Sequence, residues 1–417
     1  METLLLIFVV LLVARTSVQL WLDNLNRQEV RRHESGIPEA FAGVMDAETY
    51  QKAVRYTLDK SRLGSWETIY DAAVLAIVVL SGLLPWLWDS LTGAFGLGIW
   101  GQSGALLVIM MLLSLPGLPW EYYNQFKLEE RYGFNQSNVA LWLTDKVKGI
   151  ALSLIIGVPL LALILWLVEL SPLWWLWAFI ALFAFQLLML VLAPMVIMPL
   201  FNKFTDLPEG ELRDRLMALA DRTGFAAKTI QIMDGSKRSR HSNAFFTGFG
   251  SFRRIVLFDT LVEQLQQDEL EAVLAHEIGH YRCGHIPKRL VLAAVSLFGM
   301  FALLGWLIGE AWFVEAFGFT YAEGVLGPTL LMVSLLSGLV MFWFNPLSNQ
   351  MSRKHEYEAD AFARRAMDNR PEPLIGALRG LTSKNLGNLT PHPLYSAFYY
   401  SHPTLLEREK ALRESQA

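Results

Sequence analysis

The chain has 417 residues, of which 53% are apolar and only 18% charged, with 14 Trp and 25 Phe. Soluble proteins average roughly a quarter charged residues, and here the apolar residues gather into long runs, so the composition excludes an ordinary soluble multidomain protein and points to the membrane. A net charge of −4 offers no basic surface for nucleic acid, and a single cysteine, Cys283, excludes both an intrachain disulfide and a cysteine zinc cluster.

Residues 4–22 form the first apolar run. Glu2, rather than a positive n-region, precedes it, so it reads as a retained span and not as a cleaved signal. Residues 23–65 are polar and charged, with a helical stretch over 47–63. The second span is expected over 70–91 and the third over 104–119, followed by a charged connector at 121–135. Residues 150–168 read as the fourth span. Residues 173–200 read as the fifth, free of charge and long enough to tilt. A polar insertion at 201–289 precedes the sixth span, 290–308, and the seventh, 326–344. The pattern divides the chain into an N-terminal membrane region (1–200), the insertion (201–289), a pair of spans (290–345) and a polar helical tail (346–417).

Basic residues test this topology. Connectors 92–103, 169–172 and 309–325 contain no Lys or Arg, whereas the opposite set, with the insertion and the tail, holds every one except Arg15. That is the positive-inside pattern for seven spans, with the C-terminus and the insertion on the cytoplasmic side. No internal repeat is visible.

Within the insertion, 229–234, 242–247 and 254–258 read as strands, the last two joined by turn residues at Gly248 and Gly250. After them comes H-E-x-x-H at His276, Glu277 and His280, on a helix with Asp268 as the expected N-cap. Residues four apart share a helix face, so the two imidazoles can meet one Zn²⁺ while Glu277, about 100° away, is free to handle a water. A surface helix with two spare histidines is the alternative. Catalytic zinc takes three protein ligands and keeps one position open. His285 lies past Gly284 and beyond the expected helix end. The better third ligand is Glu356, on a helix after the seventh span, with Asp360 four residues on to accept the outer N–H of a bound imidazole and Glu358 turned about 200° away. The same charged segment could equally make only surface pairs. Cys283 reads as a small buried hydrophobe.

A strand beside such a helix offers an edge to an extended peptide. Asn243 could hold a substrate backbone group there, and His402 and Arg408 in the tail could stabilise oxyanion charge or bind a terminal carboxylate. Each of the three has an ordinary surface role as its alternative.

The stretches 129–134, 235–244, 276–280, 352–360 and 401–408, in that order, resemble those of the type I CAAX prenyl endopeptidases, membrane zinc metalloproteases of seven spans. The resemblance implies an all-α polytopic membrane protein whose helices enclose a chamber, with a small α+β insertion containing a short β-sheet. It implies zinc on His276, His280 and Glu356, Glu277 as general base, Asp360 as supporting or proton-donating acid, and Asn243, His402 and Arg408 as substrate and transition-state contacts. The implied partners are membrane lipid and a peptide or protein substrate, possibly prenylated, in a bacterial inner membrane or the endoplasmic reticulum. Two other functions stay open. One is a quality-control zinc protease of the heat-shock type. The other is a transporter or structural membrane protein with an incidental motif, although transporters tend to carry ionisable groups inside their spans.

Overall fold

The computed structural model describes residues 2–225, 227–247, 253–322 and 324–414. Among these, seven helices are long and apolar enough to cross a membrane: Glu2–Arg32, Ala47–Leu80, Ile99–Tyr132, Val139–Leu170, Trp174–Phe201, His285–Leu307 and Leu326–Ala366. Their outward faces carry exposed Leu, Ile, Val and Trp side chains such as Ile155, Val295 and Trp306. A surface of that kind is stable only against lipid, and a helix satisfies its own backbone there. The second and third spans are linked by a shorter helix, Leu83–Phe95. Successive spans touch in chain order, and the seventh closes back on the first, so the bundle is a ring.

Most spans run several turns beyond their apolar stretch, which is why the expected boundaries were narrower. The second differs in kind. Residues 70–91 are not one helix, because Ala47–Leu80 ends at Ser81 and Gly82 adopts a left-handed φ of 79°. Glycine takes that conformation without a Cβ penalty, and Pro85, in the first turn of the next helix, has no N–H to lose there. The polar stretch 47–63 and the apolar stretch after it are therefore one helix.

The insertion forms a four-stranded sheet of β1 (Phe204–Asp206), β2 (Ala227–Met233), β3 (Ala244–Thr247) and β4 (Arg253–Phe258), in the order β1-β2-β4-β3. β2 and β4 pair in parallel and the other neighbours antiparallel. β1, three residues with two of them exposed, was too short to leave a pattern in the sequence. The turn expected at Gly248 and Gly250 lies outside the described residues. Ile230, Ile255 and Leu257 of the sheet pack with Leu216 and Leu219 of helix Glu211–Arg222 and with Leu270, Leu274 and Ile278 of helix Gln267–Arg282. This core seats the helix Gln267–Arg282 between the sheet and the extension of the seventh span. β3 is left as an edge strand.

The charged connector at 121–135 is helical as far as Tyr132 and stops at Gly133, φ 84°. The chain beyond it clasps the segment that leads into β3. Gln136 donates its backbone N–H to Arg238, Arg240 donates to Phe134, and the Phe134 ring stacks on His241 at 4.2 Å.

Candidate metal centre

The helix Gln267–Arg282 begins with a capping box, not with Asp268 as its cap. Gln266 is the N-cap, its side chain accepting from the N3 backbone while Glu269 accepts from the Gln266 N–H at 2.9 Å. Two of the four orphan donors of a helix start are satisfied in this way, whereas Asp268 sits inside the first turn, where its charge faces the positive helix end. Leu270, Leu274 and Ile278 anchor one face in the core, which turns His276 and His280 toward the helix Leu326–Ala366.

Gly279 sets how closely those two helices approach. A Cβ there would lie 3.0 Å from both the Cα and the carbonyl oxygen of Ala359. The glycine and alanine thus let two backbones pack almost directly. Glu356, one turn before Ala359, is carried to the histidines by that approach. His276 Nε2 and His280 Nε2 are 3.2 Å apart, and the Glu356 carboxylate oxygens lie 3.3 Å from each. Glu356 Oε2 is buried and makes no hydrogen bond.

These observations test whether a metal fits. Zinc bonds of about 2.0–2.1 Å in tetrahedral geometry separate neighbouring donor atoms by roughly 3.3 Å. Two imidazoles and one carboxylate with those spacings, one oxygen of which lacks a protein donor, suit that ion. Among the described residues these three form a group of metal-ligating side chains whose donor atoms all lie within 4.8 Å.

Behind the donors, His276 Nδ1 donates to Asp360 Oδ1 at 2.8 Å, and Arg408 grips both oxygens of the same carboxylate at 2.8 and 2.6 Å. Burial opposes a charged His276, yet the Asp360 and Glu356 carboxylates outweigh it and push the imidazole up to about 9. Arg408 is buried behind the histidine, with its guanidinium on Asp360 and 3.9 Å from Glu356 Oε2. Asp360 is likewise enclosed, between His276 and Arg408.

Glu277, Asn243 and His402 face the open side. With His276, His280 and Glu356 they line a cavity of about 790 Å³, whose further wall includes Ile286, Leu292 and Met351. Burial pushes the Glu277 carboxyl above the ordinary range, against the pull of the two imidazoles. Asn243 precedes edge strand β3 and is exposed. His402 Nδ1 sits 2.9 Å from the Ser401 hydroxyl, and its Nε2 is 3.5 Å from Glu356 Oε1. A hydroxyl donating to Nδ1 leaves the His402 proton on Nε2, on the side of Glu356.

Sequence reasoning missed His285. Gly284 takes a left-handed φ of 68°, and the chain folds back so that His285 Nδ1 lies 2.9 Å from His280 Nδ1. His285 Nε2 meets Glu358 at 2.9 Å. Gly284, read as a helix stop in H-x-x-x-G-H, was the available signal.

Comparison with known proteins agrees along nearly the whole chain. Residues 26–203 match the CAAX prenyl protease N-terminal family, described as five membrane helices, and residues 206–416 match peptidase family M48. CAAX prenyl protease 1 of Saccharomyces cerevisiae is 36% identical over 93% of this chain and 90% of its own length. The human CAAX prenyl protease 1 homolog is 32% identical over 98% and 95%. The crystal structure of S. mikatae Ste24p superposes with a TM-score of 0.90 at 34% identity, covering 98% of each chain.

Proposed function

The chain belongs to peptidase family M48, among the CAAX prenyl proteases, and is a multi-pass membrane metalloprotease; on that premise we propose that it cuts peptide bonds near the C-terminus of prenylated proteins at a zinc centre of His276, His280 and Glu356. The observation that carries the reading is the convergence of those three side chains to 3.2–3.3 Å, from the helix that precedes the sixth span and from the extension of the seventh. Bound there, zinc would supply Lewis acidity and make a water more acidic.

The chain's own groups do the rest. Glu277, on the cavity wall beside the donors, takes the proton of the attacking water and delivers it to the leaving amine. His402 Nε2–H donates to the carbonyl oxygen as negative charge develops on it. Asp360, held by Arg408, keeps the His276 proton on Nδ1 and so leaves Nε2 free to bind.

The substrate lies along the free edge of β3, where backbone hydrogen bonds align the scissile bond with the donors and Asn243 fixes one substrate backbone group. Ile286, Leu292 and Met351 give the cavity an apolar wall on the sixth and seventh membrane helices, which suits an isoprenoid chain beside a C-terminal peptide. The centre and the C-terminal helices take the cytoplasmic side, in keeping with the distribution of Lys and Arg.

The test is cleavage of a prenylated and an unprenylated C-terminal peptide by the purified protein, each with and without chelator. Chelator-sensitive cleavage of the prenylated peptide alone is expected. Equal cleavage of both would favour general quality-control proteolysis, and cleavage insensitive to chelator would refute the zinc assignment.

A further inference from the structure

The two imidazoles of the centre are supported differently. His276 leans on a carboxylate, Asp360, directly. His280 reaches a carboxylate only through a second ring, because its Nδ1 lies 2.9 Å from His285 Nδ1 and His285 Nε2 lies 2.9 Å from Glu358 Oε2. We infer that His285 and Glu358 are positioning residues for His280, forming an imidazole–imidazole–carboxylate chain that fixes the orientation and tautomer of this ligand. The inference rests on the reading of His280 as a zinc ligand.

The protons follow from the geometry. A ring that offers its Nε2 lone pair to a metal carries its proton on Nδ1. That N–H can only donate, so His285 Nδ1 must accept it. The His285 proton then sits on Nε2, where the Glu358 carboxylate accepts. Every polar atom in the chain has one allowed role, so a rotated His280 ring would lose its partner. His285 itself has little freedom. Its side chain is 1% exposed, its ring stacks on His355 at 4.1 Å and 15°, and Gly284 holds the turn that brings it back. Glu358, flanked by Lys288 at 3.9 Å and Lys354 at 4.0 Å, is fixed at the outer end. One helix, Leu326–Ala366, therefore supplies the third metal ligand and the carboxylates that orient both of the others, at Glu356, Glu358 and Asp360.

The experiment compares the full-length wild type with His285→Leu, His285→Gln and Glu358→Gln. Zinc affinity is measured by chelator competition, and the melting midpoint is measured on the metal-free protein. Outer partners of metal-bound histidines are worth about ten- to a hundredfold in affinity. His285→Leu, which fills the space but cannot accept the His280 N–H, is expected to lose that much. His285→Gln, with one acceptor and one donor, should recover most of it at a similar metal-free midpoint. Glu358→Gln should weaken zinc severalfold, and it decides the matter if the leucine variant does not fold. Wild-type affinity in His285→Leu, or in Glu358→Gln, would overturn the inference. So would equal losses for Leu and Gln that track the metal-free midpoint, since that is the mark of packing alone. A wild type that binds no zinc would instead overturn the metal assignment itself.

Discussion

Gly279→Ala tests how Glu356, the proposed third ligand, is delivered. The added Cβ would stand 3.0 Å from the backbone of Ala359 and 3.2 Å from Phe362 Cβ, where ordinary contact begins at 3.4 Å. Backbone atoms of a packed helix cannot rotate away, so the helices must separate by about 0.4 Å, at an overpacking cost of about 1–3 kcal/mol. Glu356 is on the helix that moves, whereas metal sites tolerate ligand errors of only about 0.2 Å. We expect zinc affinity to fall on the order of tenfold or more, with activity restored in part by excess zinc. Chelator competition on the purified variant reads the affinity, and thermal unfolding reads the packing cost separately. A variant that binds zinc as the wild type does would refute the argument that this close approach positions Glu356.

Further predictions follow from the same geometry. Glu277→Gln should retain zinc by elemental analysis and lose cleavage, and turnover like that of the wild type would remove Glu277 from the role of base. Asp360→Asn sets an amide N–H₂ against the buried Arg408 guanidinium. It should destabilise the fold by about 3–5 kcal/mol and weaken zinc binding, both readable by calorimetry with and without metal. Asn243→Ala should raise KM for an extended peptide more than it lowers kcat, if the residue holds substrate at the strand edge.

The centre was largely legible because its chemistry is local. His276 and His280 share a face through helical periodicity alone, and Glu356 and Asp360 share another for the same reason. What periodicity could not supply was tertiary. Arg408 could be read from the sequence only as a substrate contact or a surface arginine in a polar tail, and it is the packing of helix Leu405–Glu414 against helix Leu326–Ala366 that buries it behind Asp360. His285 was set aside because a helix stop intervenes, yet the left-handed turn at Gly284 folds it back onto His280. Glu358 does point away from the His276, His280 and Glu356 group, as its position two residues after Glu356 requires, but it points at His285. The second span was misread because an apolar run does not reveal where a glycine breaks it. The cap of the metal helix was placed two residues late because a glutamine caps less commonly than an aspartate.

The central claim is that His276, His280 and Glu356 grip one zinc ion. Anomalous scattering from crystals of the zinc-loaded protein, recorded on either side of the zinc edge, tests it most directly. A single peak within about 2.0–2.2 Å of His276 Nε2, His280 Nε2 and a Glu356 oxygen is the predicted result. A zinc peak elsewhere, or one at this place that Glu356 does not touch, would contradict it.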